Sequence, residues 1–432
     1  MPRQFRHNLS SSSSKPYPPA ELEALLKESE LPGPPTPLPT KSSHEESVLD
    51  KNLRLALSLH STSPSSSSAE EENHTPADDA PYLKIGAGAC GAIFAQAGGS
   101  AIVKLAKDPN NPELWNDFRQ HVKITKSFEA LFSDDPPIQI PKPLGYVPPT
   151  KTSFFSATPA LVQAAEPIIS SLPTRALVAE RILPLPRSTR HLLIEKYCAP
   201  RGKQKALADP ANSDCLVRVY LGSTNGKSGG MFFSLRNLKL HLNQLTELDL
   251  DIEELASRMG IALAAMHWGA RTDARDVEFV LGASSTEQVP QELQDDLDNI
   301  EADAAEPQYV GPATYHGLDD FFCRQTEMWV LDFNQVRDIT LDDAGVALAV
   351  EAVKLNDPYF PKPLKESEAE EKAWKAFVFS YRKNSQTILE QALKENKGLG
   401  DMYEILALPR KFVLGIVELE RERMARREGA NA

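Results

Sequence analysis

Gly86, Gly88 and Gly91 stand in a GxGxxG pattern, and Lys104 closes the hairpin that follows them. Glycines in this arrangement let backbone N–H groups approach phosphate oxygens closely. A lysine delivered by the same hairpin supplies the positive charge. The chemistry implied is a grip on the phosphates of a nucleotide.

The elements that must position these residues come from the flanks. A dinucleotide-binding glycine turn runs strand, turn, helix, with an acidic residue about 20 positions later. Here Ala92-Ile93-Phe94-Ala95 continues as a strand instead, Gly98-Gly99-Ser100 supplies a hairpin turn, and Ala101-Ile102-Val103-Lys104 returns. The loop is therefore expected to lie over a sheet. Asn111-Pro112 then offers a helix start, followed by Leu114, Phe118, Val122, Thr125 and Phe128 at helical spacing. Residues 138–147 read as a strand broken by prolines. Residues 176–182, ALVAERI, read as a buried strand leading into Leu183-Pro184-Leu185-Pro186.

The order glycine loop, Ile93, turn and apolar strand ending in Lys104 resembles the amino-terminal lobe of the protein-kinase-like superfamily, where a GxGxxGxV loop covers ATP and a strand lysine pairs its phosphates. The resemblance implies an α+β, two-lobed fold, with a small β-rich amino-terminal lobe and a larger helical carboxy-terminal lobe. It makes Asp117 the expected acidic partner of Lys104, with Glu113, one turn earlier, as the alternative. Glu180 falls near the lobe-connecting hinge, whose backbone would hydrogen-bond an adenine ring.

Farther on, Ile252, Leu255, Met259, Leu263 and Met266 mark an amphipathic helix ending at His267. The loop after it is similar to a kinase catalytic loop. Asp273 takes the place of the aspartate that orients an acceptor hydroxyl, and Glu278, five positions on, takes that of a metal-binding asparagine. Met328-Trp329-Val330-Leu331 then delivers Asp332 in the manner of the aspartate that chelates Mg²⁺. Phe333 matches the phenylalanine after it, and Asn334 replaces a glycine. Three carboxylates in one site repel one another unless a divalent cation neutralises them, and hard oxygen ligands suit Mg²⁺.

Departures accompany the match. HRD has become Arg271-Thr272-Asp273, and no long activation segment or APE-type anchor follows Asp332. Residues 341–355 instead start a helix within a few residues, as in aminoglycoside-phosphotransferase-like enzymes, which points to a small hydroxylated acceptor. The likeness covers residues 83–337. More narrowly, the strings LVAERILPLP, DARDVEFVLG, WVLDFNQ and NDPYFPKP resemble an uncharacterised fungal domain family, some members of which carry the name "zinc finger protein". No Cys/His pairs stand at zinc spacing, so no zinc is expected.

Composition bounds the rest. The 432 residues are 41% hydrophobic and 25% charged, enough for a sizeable core in two lobes. A net charge of −13 argues against a nucleic-acid or anionic-membrane binder. Cys90, Cys198, Cys215 and Cys323 form no CxxC pair, indicating reduced, structural thiols. There is no apolar signal core and no run of 18 apolar residues, so cytoplasm or nucleus is the expected location.

Residues 1–80, rich in Ser and Pro, are expected to be a disordered tail, with helical spacing only over 21–28 and 48–59. Residues 81–182 form the expected amino-terminal lobe. Residues 183–432 form the carboxy-terminal one, with insertions near 199–230 and 283–326. Residues 288–306 hold seven carboxylates and no Lys or Arg, a solvated insertion. Helices are expected over 368–393 and 409–426.

The expectation is a divergent kinase-like protein with ATP and Mg²⁺ in an interlobe cleft, phosphorylating a small hydroxylated acceptor. The alternative is a pseudokinase-type interaction module with a degenerate cleft and a protein partner. The substitutions at 272, 278 and 334 favour the second; Lys104, Asp273 and Asp332 favour the first.

Overall fold

The computed structural model describes residues 47–59, 62–64, 80–96, 98–133, 136–230, 233–284, 323–365, 367–396 and 398–431, all within one unit, Glu45–Ala432. The helical spacing at 21–28 and the acidic stretch 288–306 lie outside the described residues. The chain is mixed α+β, β-rich towards its amino-terminal side and helical towards its carboxy terminus. No helix among the described residues is long and apolar enough to cross a membrane.

Part of the stretch expected to be disordered is folded. Helix α1 (Val48–Leu57) starts at Ser47, whose hydroxyl accepts the Asp50 N–H and so caps the first turn. Leu53 and Leu57, one turn apart, are buried in the core. Each such burial contributes about 1.5–3 kcal/mol towards the cost of ordering the segment. Ion pairs Lys196–Asp50 and Arg54–Asp249 flank them. Strand β1 (Thr62–Pro64) then pairs antiparallel with residues 323–325. A tail boundary at residue 80 is therefore corrected: residues 47–59 and 62–64 belong to the folded unit.

The first sheet has the order β2-β3-β4-β6-β5, all neighbours antiparallel. Its strands are β2 (Tyr82–Ala87), β3 (Gly91–Gln96), β4 (Ala101–Ala106), β5 (Pro143–Val147) and β6 (Ala176–Glu180). Helix α2 (Glu113–Phe132) begins where the Asn111 side chain accepts the Glu113 N–H. It buries Leu114, Phe118 and Val122, at helical spacing, in one core with Leu105 and Tyr146 of the sheet. Two short helices, α3 (Thr152–Ala157) and α4 (Pro159–Ala165), add Phe155 and Leu161 to that core.

The carboxy-terminal part is not purely helical. It carries a second sheet, β1-β10-β9-β7-β8, in which the stretch expected to be an insertion supplies an integral strand. In chain order come α5 (Arg187–Tyr197), α6 (Lys203–Ala208), β7 (Val217–Tyr220), β8 (Leu238–His241), α7 (Leu242–Glu247) and α8 (Ile252–Ala264). A wider π-helical turn, Ala265–Gly269, prolongs α8. β9 (Glu278–Ser284) and β10 (Cys323–Leu331) follow as an antiparallel pair.

Helices α9 (Asp343–Leu355), α10 (Glu368–Glu395) and α11 (Met402–Asn431) complete the chain. α8 and α10 approach so closely at Gly260 that a Cβ there would lie 2.5 Å from the Phe377 carbonyl oxygen. Glycine is required by that contact. α11 starts before Pro409, which sits inside it rather than at its start as the sequence suggests.

Candidate functional site

The two sheets meet at Lys104. Its side chain leaves β4, opposite Ile93 on one neighbouring strand and Leu177 on the other, and Lys104 is 7% exposed. A buried ammonium must be paired to be tolerated, and two carboxylates meet it. Nζ donates to Asp117 Oδ2 at 2.7 Å and to Asp332 Oδ1 at 3.0 Å. Burial opposes the charge, but attraction to Asp117 and then Asp332 outweighs it and holds the lysine pKa well above its ordinary value.

Asp117, and not Glu113, is thus the partner. It sits on the buried face of α2, and its second oxygen accepts the Phe333 N–H at 3.1 Å. One carboxylate therefore ties the strand lysine to the turn after β10. Asn116, next to it, donates to the Asn334 and Val336 carbonyls, and the buried Phe333 ring packs on His121. Asp332 adopts φ +66°, a left-handed conformation unusual for a residue with a side chain. Arg271, Ala274 and Asp276 also have positive φ, at 52°, 52° and 63°. Strain of this kind, of order 1–3 kcal/mol per residue, persists only where surrounding contacts enforce it.

Those contacts are visible in the 271–276 loop, where Asp273 departs from the cleft-facing role expected of it. Asp273 is 1% exposed. Its Oδ1 accepts the Arg275 and Arg337 N–H groups and its Oδ2 accepts Arg337 Nε. A ladder of backbone bonds, Asp273 N–H to Arg337 O and Ile339 N–H to Arg271 O, closes the arrangement. The carboxylate is committed to holding two loops together. Asn356, also buried, braces the same loop by accepting the Asp276 N–H and donating to the Ala274 carbonyl.

Asp276 is the residue that spacing did not single out. Gln335 donates to its Oδ2. Burial raises its pKa first and the Asp332 charge second, while Arg275, Arg218 and Lys104 oppose the shift, which puts Asp276 in the electrostatic neighbourhood of the Lys104 group. Glu278 joins them because register pairs it with Leu331, one residue before Asp332. Glu278 is held by Arg218 of β7 at 2.7 Å. Burial, ahead of the opposing Arg218 and the like charges of Asp332 and Asp276, pushes its pKa up to about 7.

That shift has a measurable sign. A carboxyl whose folded pKa exceeds its unfolded value binds its proton more tightly when folded. Its contribution is full below about pH 4.5 and is lost as pH rises to about 7, on the order of 3 kcal/mol in all. Denaturant midpoints measured from pH 4.5 to 7.5 should fall more steeply for the wild type than for Glu278→Gln. Parallel curves would contradict the buried, protonating Glu278.

The glycine turn lies beside β4. Gly88 N–H donates to Gly91 O, and Lys107 Nζ donates to Gly88 O. A Cβ on Gly91 would lie 2.8 Å from the Leu105 carbonyl oxygen and 3.2 Å from Lys104 Cγ, so the turn sits directly on β4. A Cβ on Gly86 would meet Ile93 at 3.3 Å, whereas one on Gly88 would meet nothing within 4 Å. Burial raises the pKa of the Cys90 thiol in this turn, and Lys104, Asp332, Asp117 and Glu113 all act on it. Glu180, expected at a hinge, turns its carboxylate to the Lys142 N–H. Its own N–H goes to Lys142 O, Arg181 N–H goes to Ser100 O, and Leu183 O accepts from Ala283.

A family model described as "Zinc finger protein" matches residues 328–393, from within β10 into α10. No curated protein matches the chain. No solved structure matches it either. The matched residues include Asp332, Arg337 and Asn356 but contain no cysteine and no histidine, so the usual zinc-finger ligands cannot come from that stretch. Among the described residues, no group of three or more His, Cys, Asp or Glu is placed to hold a metal ion.

Proposed function

We propose that the protein is a divergent kinase-like protein that binds ATP with Mg²⁺ where its two sheets meet. The observation carrying this reading is the Lys104 ammonium, held between Asp117 of a helix and Asp332 at the exit of a strand. A strand lysine so placed pairs nucleotide phosphates, and a carboxylate after an apolar strand takes the metal. Lys104 has three donors and uses two on these carboxylates, leaving one for phosphate. Mg²⁺ is held by one or two carboxylates together with substrate phosphates, and so needs no all-protein cage. Asp332 would be the principal ligand.

The acceptor in this reading is a small hydroxylated molecule, because α9 begins at Asp343, too soon after Asp332 for a peptide-docking segment. Asp273 is enclosed, so Asp276 takes over the orientation of the acceptor hydroxyl. One specific observation favours the second reading, a catalytically inactive interaction module: Asp273 is fully committed to Arg275 and Arg337, and Glu278 to Arg218.

Thermal unfolding with ATP, with and without Mg²⁺, tests the binding step. Ligand at a hundredfold excess over Kd stabilises by about 2.7 kcal/mol. Mg·ATP should raise the wild-type transition clearly, and Asp332→Ala should lose the metal dependence. An equal absence of stabilisation in both would sink the nucleotide reading and leave the interaction module standing.

A further inference from the structure

One face of the second sheet carries the carboxy-terminal core. Val217 and Val219 of β7, Leu240 of β8, and Phe279 and Leu281 of β9 belong to that core. Strand alternation therefore turns Arg218, Lys239, His241, Glu278 and Val280 to the opposite face. Register sets them side by side. Arg218 stands opposite Lys239 of β8 and opposite Val280 of β9, two residues beyond Glu278. This face adjoins the Lys104 group: Glu278 feels the Asp332 and Asp276 charges, and the Arg218 charge acts on both Glu278 and Asp276.

Away from β9 the face is basic. β7 (VRVY) and β8 (LKLH) hold Arg218, Lys239 and His241 and no carboxylate. Lys239 is exposed, pairs with no carboxylate among the described residues, and lies over the Tyr220 ring, 5.8 Å from its centroid. Arg218 meets Glu278 and the Asn237 side-chain oxygen through Nη2 alone. A guanidinium has five donors in a fixed fork, so the rest stay for a bidentate anion. His241 is engaged by Ser223; burial, and then the Lys239 charge, hold its pKa below the ordinary value, so the cations here are Arg218 and Lys239. The Tyr220 ring, set edge-on against Tyr359, gives them an aromatic wall.

We infer that β7 and β8 form an anion subsite for the acceptor, which is a small polyhydroxylated acid whose carboxylate or phosphate lies on Arg218 and Lys239 while a hydroxyl reaches Asp276. β8 and β9 stand two strand spacings apart, about 10 Å, which matches the span of a six-carbon chain with a terminal acid group. The acid is thereby held clear of Asp276 and Asp332, which would repel it. Calling the ligand an acceptor rests on the nucleotide reading; the subsite itself binds without nucleotide.

Calorimetric titration of the full chain with D-gluconate, D-glucose 6-phosphate and D-glucose, without nucleotide, tests it. At least one of the two acids should bind saturably, and glucose should bind about tenfold more weakly or not at all, because the acid group makes the charge-assisted bonds. Lys239→Glu, at an exposed position, turns attraction into repulsion and should weaken the acid about tenfold. Lys205→Glu, an equal charge change on α6, should not. Arg218→Gln with Glu278→Gln removes that ion pair without stranding either charge and should weaken the acid by a similar factor. Absence of saturable binding, glucose binding as tightly as the acids, or acid binding undiminished in Lys239→Glu and in the double variant overturns the inference. Competition between the acid and Mg·ADP would assign these cations to nucleotide phosphates and overturn it equally. Stabilisation by Mg·ATP should survive Lys239→Glu, so the subsite and the nucleotide reading fail separately.

Discussion

Replacing Lys104 with methionine is expected to destabilise the protein by about 3–5 kcal/mol, the cost of leaving a buried charge without its partner. Methionine keeps the length and apolar stem of the side chain, so packing changes little. What changes is Asp117, whose side chain is 5% exposed and whose Oδ2 then faces no cation. Asp332, at 30% side-chain exposure, can recover water and suffers less. The deficit should grow as pH rises through the carboxylate range, because at acid pH Asp117 can take up a proton instead of standing charged in the core. Urea unfolding at pH 4.5 and pH 7 gives both numbers, and Asp117→Asn in the Lys104→Met background should return part of the loss. A Lys104→Met variant within 1 kcal/mol of wild type would mean that the pair is not formed as described.

The sequence carried this part of the site because each contributor announces itself locally. Lys104 lies in an apolar strand after a glycine turn, Asp117 lies on a helix with a clear start and an apolar stripe, and Asp332 follows another apolar strand. Strands and helices have periods, and a residue's place on them follows from those periods. The join between Lys104 and Asp332 spans 228 positions and is not local; it is expected only from the order in which the motifs resemble those of a kinase-like chain.

Other features left no periodic trace. Arg218 reaches Glu278 from a strand whose membership in the second sheet depends on register. β1 joins that sheet across a separation of more than 250 residues, and its three residues carry no strand signature. The left-handed backbone at Ala274 opposes residue preference outright. Asn356, 82 positions away, braces it by donating to the Ala274 carbonyl. Polar staples of this kind follow from three-dimensional closure, and no spacing rule anticipates them.

Asp273 offers the sharpest contrast between position in a motif and position in space, and its replacement should show this. An acceptor-orienting aspartate can become asparagine with little effect on the fold. The carboxylate seen here cannot, because it takes two backbone N–H groups and the Arg337 guanidinium while fully buried. Asparagine turns one acceptor into a donor, and if that donor faces Arg337 Nε the pair becomes repulsive. Asp273→Asn should therefore cost about 3 kcal/mol of stability, the low end for breaking a buried pair, since the Arg337 side chain is 34% exposed and water can reach it. Arg337→Met should cost a similar amount. The double variant should cost little more than either alone, because both remove one interaction. Asp276→Asn should leave unfolding almost unchanged, since Gln335 can reorient to meet the amide. Denaturant midpoints for these four variants form the test, and a coupling below about 0.5 kcal/mol between positions 273 and 337 would show that they act independently. If nucleotide turnover is then found, its loss in Asp276→Asn without loss of stability would separate the group that meets substrate from the one that holds the loop.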